Sequence, residues 1–258
     1  MKRVSQIPRL LALAAALVLP EIPLKADPEP EPFSKDEASG KTVMSHMEGY
    51  QIVLSRFYNA PVRGSEAPEL VLFDPELERE AELEELIGEK PVVLLFGSYG
   101  CDVLYDHVEG VRSCLEDFGD KADFHFVYIR EAHSEESNEE SEEPKLTPLI
   151  ADPKLIEERR VAAKKWMEEQ GLSFRILIDS MEDRASTRWA GWPVRIYAVG
   201  EGRKVLYSGK PGPWGFYPAP EEKADGFDRM RPHEDRFSQE SLYEFLQARF
   251  GGGDSAGE

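Results

Sequence analysis

Cysteine and positive charge are both scarce in this sequence of 258 residues. Its two cysteines are Cys101 and Cys114, and on one continuous helix that spacing would place them about 20 Å apart, beyond the reach of a disulfide. A disulfide framework is therefore excluded unless the helix is interrupted. With 31 basic and 50 acidic residues, the net charge is −19, which argues against nucleic acid and anionic membrane surfaces as partners.

Long apolar runs are also lacking, and the nearest approach to one lies at the N-terminus. Basic residues precede ten apolar residues over 10–19, whereas a bilayer-spanning helix needs about 20. The pattern predicts a signal peptide over 1–26 and export to the periplasm or the extracellular space. An uncleaved membrane anchor and a buried N-terminal helix remain alternatives.

Composition divides the remaining chain into three parts. Residues 27–41 are rich in proline and acidic side chains, which predicts a disordered tether. A folded domain is expected over 42–250, beginning with a helix at 44–60, and the glycine-rich residues 251–258 form a flexible tail. The acidic segment 134–145 is expected to be a solvated loop rather than a metal site.

Strand and helix patterns alternate through the folded domain. The strand over 91–98 is a continuous apolar run, as expected for a strand covered on both faces. This order predicts an α/β thioredoxin-like fold, a mixed central sheet with helices on both faces. The remaining predicted elements are a strand before Asp74, a helix over 75–90, a long helix from Cys101, a strand over 123–129, a helix over 152–172, a strand over 173–179, a short helix over 181–191, a hairpin over 193–209 and a final helix capped by Ser238.

Cys101 occupies the point where the buried strand stops and the next helix begins. Unpaired backbone N–H groups and the positive end of a helix dipole stabilise a thiolate, so the position predicts a lowered thiol pKa and a reactive cysteine. An inert, buried cysteine is the alternative. For Cys114, within an apolar helical stripe, the inert role is the prediction.

Four segments resemble the iodothyronine deiodinases, thioredoxin-fold selenoenzymes that carry selenocysteine at the position of Cys101. They are "KPVVLLFGSYGC" (90–101), "VYIREAH" (127–133), "LIDSMEDRAS" (177–186) and "YSGKPGPWGFYP" (207–218). The resemblance implies a thiol-dependent oxidoreductase whose Cys101 attacks a small-molecule electrophile, and reductive dehalogenation is the activity that it names. With the predicted signal peptide, this enzyme would be exported. The resemblance further implies an external thiol reductant, no bound cofactor and a homodimer. The five histidines are scattered, so the sequence predicts no metal site.

The resemblance also implies site residues. Glu131 and His133 would handle protons beside Cys101, and His133 follows a predicted strand at the edge where α/β sheets place their sites. As alternatives, His133 could be a solvent-facing loop residue, Glu131 a surface charge, and Arg195 a strand residue paired with acidic side chains. The substrate-binding positions would be Ser98, Tyr99, Gly100, Arg195 and Pro193, the last in a cis peptide.

Several positions depart from the family pattern. Cys101 replaces selenocysteine, and Tyr99 and Gly100 replace the family's Cys and Thr. Asp102 stands where a proline is usual. Its acidic side chain would either cap the helix or raise the pKa of the Cys101 thiol. Arg130 replaces one Glu of the family's Glu-Glu-Ala-His run.

Two other functions stay open. Ser98 precedes Cys101 by three residues, where peroxiredoxins carry a threonine, so peroxide reduction is one alternative. The other is a non-catalytic binding module that uses the aromatic side chains of 214–217. Dithiol exchange is disfavoured because Leu104 stands where a C-x-x-C motif needs its second cysteine.

Overall fold

The computed structural model describes residues 60–139, 148–212, 215–220 and 236–251. The predicted signal peptide, the tether, residues 44–59 of the first helix, residues 252–258 of the tail and Trp214 lie outside these residues, so those predictions stay open. Within the described ranges, no helix combines the length and the apolar character needed to cross a membrane.

Seven strands form one mixed sheet in the order β2-β1-β5-β4-β3-β6-β7. The central strands β3, β4 and β5 are parallel, and the outer strands pair antiparallel. The apolar runs predicted as central strands therefore lie at the centre of the sheet. The strands are β1 (Val71–Asp74), β2 (Arg79–Glu82), β3 (Val92–Gly97), β4 (Asp123–Tyr128), β5 (Arg175–Ile178), β6 (Arg195–Gly200) and β7 (Lys204–Ser208).

Helices cover both faces of the sheet, which confirms the predicted α/β thioredoxin-like architecture. One face packs on α2, α3, α5 and α7 around a core that includes Leu104 and Trp166, and the other packs on α1 and α6 around Leu83 and Ala185. The helices are α1 (Leu83–Leu86), α2 (Asp102–Asp106), α3 (Val108–Phe118), α4 (Glu135–Glu139), α5 (Ile156–Gln170), α6 (Arg184–Arg188) and α7 (Leu242–Phe250).

The structure corrects two of the predicted helices. Residues 75–90 form strand β2 and the single turn α1 instead of one helix, because pairing with β1 buries Ala81 opposite Leu72 while the neighbouring charges stay exposed. Tertiary pairing overrides helix propensity here. The long helix predicted from Cys101 is interrupted at His107, which separates α2 from α3.

Two further predictions are wrong in detail. In the segment 134–145, predicted as a solvated loop, residues 135–139 form helix α4 and Ser134 is buried, while 140–145 lie outside the described residues. The cap of the last helix is Ser241 rather than Ser238. The Ser238 hydroxyl instead accepts a hydrogen bond from the Ser208 N–H, which ties the chain before α7 to the end of β7.

Replacing Ser241 with alanine is expected to lower the free energy of unfolding by about 1 kcal/mol. Its hydroxyl accepts from the Glu244 N–H at 3.1 Å, and the Glu244 carboxylate accepts from the Ser241 N–H at 2.8 Å. Urea unfolding measures the loss. The matched control is Ser113→Ala, whose hydroxyl only donates to a carbonyl within its own helix and whose replacement should change stability by less than about 0.5 kcal/mol. Equal losses in the two variants would contradict the capping role.

Candidate active site

Cys101 lies at the carboxyl end of β3, in the loop 98–101 that leads into α2. It is the N-cap residue of α2, its N–H donates to the Ser98 carbonyl at 3.3 Å, and only 1% of its surface is exposed. The carboxyl ends of β3 and β4 meet at this edge, where open α/β sheets place their sites. The strand order therefore brings the segment after β4 beside the cysteine loop.

The Cys101 thiol does not have the lowered pKa that its position predicted. Burial raises its pKa to about 12, with the charges of Asp102 and Glu131 acting in the same direction. Backbone hydrogen bonds from Leu104 and Val103 lower the pKa, but burial prevails. Because the helix breaks at His107, α2 is only five residues long and contributes a weaker dipole than the long helix expected from the sequence. In this conformation Cys101 is a protonated, protected thiol.

The loop 98–101 and the segment 131–133 are joined by hydrogen bonds between backbone N–H groups and side-chain oxygens. The Ser98 hydroxyl accepts from the Ala132 N–H at 3.0 Å, and the Gly100 N–H donates to the Glu131 carboxylate at 2.7 Å. A Cβ atom on Gly100 would lie 1.9 Å from the His133 carbonyl oxygen, so only glycine permits this approach. Ser98, Gly100, Cys101, Glu131 and His133, predicted as site residues, are thus brought together.

Glu131 is a buried carboxyl rather than a surface charge. It accepts hydrogen bonds from the Gly100 N–H and from the Tyr128 hydroxyl, and its side chain is enclosed. Burial raises its pKa to about 7 against these hydrogen bonds, which lower it. A carboxyl that is half protonated near neutrality can give or take a proton there.

His133 faces Asp102 across the entrance to α2. Its Nε2 lies 3.6 Å from the Asp102 carboxylate, and 28% of the His133 side chain is exposed. Asp102 also accepts from the Val103 N–H at 3.0 Å, so it contributes to the start of α2 and raises the pKa of Cys101 at the same time. Both side chains of the pair are partly exposed, at 28% and 32%.

The Tyr99 side chain is covered by helix α5 and is not exposed to solvent. Its ring is 2% exposed, and its hydroxyl donates to Glu169 of α5 at 2.7 Å. Burial raises the pKa of Tyr99, so the hydroxyl remains a donor.

The predicted cis peptide between Trp192 and Pro193 is present.

Arg195 lies on the face of the sheet opposite Cys101. It is paired with Phe96 in the β3–β6 register, and Phe96 belongs to the core on the α1 and α6 face. Its Nε donates to the Gly209 carbonyl at 2.9 Å, and its guanidinium lies 4.8 Å from the centre of the Phe237 ring. Among the described residues its Nη2 has no hydrogen-bond partner. The structure does not bring Arg195 to Cys101, and no carboxylate among those residues pairs with it.

Two residues of the site escaped the sequence analysis. Tyr128 donates to Glu131 and accepts from the Tyr99 N–H at 3.3 Å. Trp192 donates from Nε1 to the Glu131 carbonyl at 3.3 Å. Tyr128 ends strand β4 three residues before Glu131, so its place at the same sheet edge was a usable signal.

Comparisons with known proteins agree with the resemblance. The family profile described as "Iodothyronine deiodinase" matches residues 5–224. The type I iodothyronine deiodinase of Xenopus laevis is 32% identical over 168 residues, covering 65% of this chain and 64% of the relative. The thyroxine 5-deiodinase of Gallus gallus is 30% identical over 162 residues, covering 62% and 60%. The chain thus spans less than two thirds of the length of each of these relatives.

A solved structure is also similar. The thioredoxin domain of a thiol-disulfide oxidoreductase from Bacteroides vulgatus is 15% identical, with a TM-score of 0.42, over 67% of this chain and 98% of that one. The match of the family profile over most of the sequence decides the assignment. This chain belongs to the iodothyronine deiodinase family.

Proposed function

We propose that the protein is an exported thiol-dependent oxidoreductase in which Cys101 reduces a small halogenated substrate. The observation that carries the proposal is Glu131, a buried carboxyl with a pKa of about 7 that is hydrogen-bonded to the residue preceding Cys101. A nucleophile with a proton donor beside it is the minimum that reductive dehalogenation requires. Family membership supports the same reaction class.

The proposed reaction begins when the Cys101 thiol passes its proton to His133. The thiolate attacks the halogen, a sulfur–halogen bond forms, and the carbon–halogen bond breaks. The carbon keeps the bonding electron pair and takes a proton from Glu131, which His133 then restores. The carbon has been reduced by two electrons, and the sulfur has been oxidised to a sulfenyl halide.

An external thiol completes the cycle without a bound cofactor. A first thiol displaces the halogen as hydrogen halide and forms a mixed disulfide with Cys101. A second thiol releases Cys101 and leaves as the external disulfide. One halogenated substrate and two thiols thus give one dehalogenated product, one disulfide and one hydrogen halide. We also propose that the protein is a homodimer. The second copy of the chain takes part in no step of this reaction.

The buried thiol requires that the loop 98–101 move before the reaction. With 1% exposure, Cys101 cannot meet a substrate in the described conformation. Opening would bring water to the sulfur and remove the burial that raises its pKa. The short helix α2 and the break at His107 would allow such a motion without disturbing the sheet.

A second candidate is the non-catalytic binding module, and the same burial favours it. A thiol with a pKa of about 12 is an inert core residue if the loop never opens. In that case the family fold would serve to bind a partner, and Cys101 would only pack against Leu104 and its neighbours in the core.

Turnover assays of the purified protein separate these functions. With 2-iodophenol and dithiothreitol, we expect iodide release that Cys101→Ser abolishes and the matched variant Cys114→Ala retains. If the protein consumes hydrogen peroxide and releases no iodide, its activity is peroxide reduction and not dehalogenation. If neither substrate is consumed, or if Cys101→Ser is as active as the wild type, the enzyme proposal fails and the binding module remains.

Export is tested on the full chain in a Gram-negative host. Because cleavage is proposed after Ala26, we expect a periplasmic product whose mass is that of a chain beginning at Asp27. A full-length product in the cytoplasmic fraction would overturn export. A full-length product in the membrane fraction would favour the uncleaved anchor.

A further inference from the structure

We propose that Tyr99 is a positioning residue that holds the loop 98–101 closed over Cys101 through its contact with helix α5. Because it explains how the reacting thiol is covered, this inference rests on the proposed function of Cys101. The main observation that supports the inference is a hydrogen bond between residues 70 positions apart. The Tyr99 hydroxyl donates to the Glu169 carboxylate at 2.7 Å.

Helix α5 holds the Tyr99 side chain at two points. Glu169 accepts from its hydroxyl, and Lys165 places its Nζ 4.7 Å from the centre of its ring. Lys165 and Glu169 are one turn apart on α5 and are themselves 3.9 Å apart, with 49% and 41% of their side chains exposed. One turn of a surface helix thus binds the hydroxyl by a charge-assisted hydrogen bond and the ring by a cation–π contact.

The other contacts of the loop run in a different direction. The Ser98 hydroxyl, the Tyr99 N–H and the Gly100 N–H all bond to the segment 128–132, at the end of strand β4. Among the described residues, the hydrogen bond and the ring contact that join this loop to α5 both come from the Tyr99 side chain. The loop is therefore fixed from two sides, and the α5 side depends on one tyrosine.

Loss of the α5 contact is expected to release the loop without unfolding the protein. The hydrogen bonds between the loop and 128–132, each of which joins a backbone N–H to a side-chain oxygen, do not involve α5 and remain. Opening then exposes Cys101, which lies two residues beyond Tyr99, but not Cys114, which is fully buried on helix α3. Selective exposure of one of two buried thiols separates loop positioning from a general loss of stability.

The test is the rate at which iodoacetamide alkylates each cysteine of the folded full chain, read by peptide mass spectrometry. Tyr99→Phe removes the hydroxyl and keeps the ring. We expect alkylation of Cys101 to be about tenfold faster than in the wild type, equivalent to about 1.4 kcal/mol, while Cys114 is unchanged. Glu169→Ala should match Tyr99→Phe, and Glu169→Gln, which keeps an acceptor oxygen, should stay nearer to the wild type.

Tyr105→Phe and Glu168→Ala are the matched controls, because they change the same residue types on α2 and α5 and should leave both rates at the wild-type value. The proposal is overturned if Tyr99→Phe alkylates Cys101 at the wild-type rate. It is also overturned if Cys101 and Cys114 accelerate together, since that would show global destabilisation. This readout needs no turnover, so its failure is distinguishable from failure of the dehalogenase assay.

Discussion

Replacing Gly100 with alanine is expected to lower the free energy of unfolding by about 3 kcal/mol. The new Cβ would lie 1.9 Å from the His133 carbonyl oxygen and 3.1 Å from the Glu131 carboxylate. The nearest of these atoms belongs to the backbone, so it cannot move aside by changing rotamer. The loop and the segment 131–133 would have to separate, and the hydrogen bond from the Gly100 N–H to Glu131 would be lost with them.

Urea unfolding of Gly100→Ala beside Gly88→Ala measures this effect. Gly88 is exposed, and no atom lies within 4 Å of the Cβ position on that residue. Alanine there should change stability by less than about 1 kcal/mol in either direction. A cost for Gly100→Ala as small as that of the control would show that the two loops are not held together as described.

The central sheet was predictable because the apolar composition of its strands indicates that they are buried. The run over 92–97 is apolar at nearly every position, and the structure buries all six residues between two layers of helices. The run over 123–128 is similarly buried and forms the neighbouring parallel strand. Pattern and burial agree at the centre of the sheet, where each strand has neighbours on both sides.

The edge of the sheet was less predictable, because edge strand β2 forms only through its pairing with β1. The residues of β2 are mostly charged, and three of the four are exposed. Charged residues are common on edge strands and equally common on exposed helices. Nothing local to 79–82 distinguishes the two, and only the register with β1 settles the outcome.

The position of Cys101 in the fold could be predicted from the sequence, but the pKa of its thiol could not. A cysteine after a buried strand was correctly placed at the sheet edge, with Glu131 and His133 beside it. Its pKa depended on burial and on the length of α2, which the sequence pattern overestimated by running through His107. Arg195, which the resemblance assigned to the site, lies on the opposite face of the sheet. In a strand, a side chain's face follows from register, and the register of β6 against β3 cannot be read from either strand alone.

Glu131 should make the stability of the protein fall as pH rises. Its pKa is raised from 4.5 in a model peptide to about 7 in the folded state, so the folded protein binds this proton more tightly than the unfolded chain does. The resulting stabilisation is fully present below pH 4.5 and is lost as pH rises through 7. Between about pH 5 and pH 8 the expected loss is about 2 to 3 kcal/mol.

Urea unfolding of the wild type and Glu131→Gln at these two pH values isolates the contribution. Glutamine has nearly the shape of the protonated acid and does not titrate, so the stability of the wild type relative to the variant should fall by about 2 to 3 kcal/mol from the lower to the higher pH. Asp179, whose pKa burial raises to about 6, contributes in the same direction but is present in both proteins and cancels.

Glu168→Gln provides the control, because the Glu168 side chain is 67% exposed and its replacement should leave the wild-type pH dependence unchanged. If wild type and Glu131→Gln differ by the same amount at both pH values, the buried carboxyl does not take up a proton in this range. Glu131 could then no longer serve as the proton donor of the proposed dehalogenation, since a carboxyl that stays ionised at neutral pH has no proton to give.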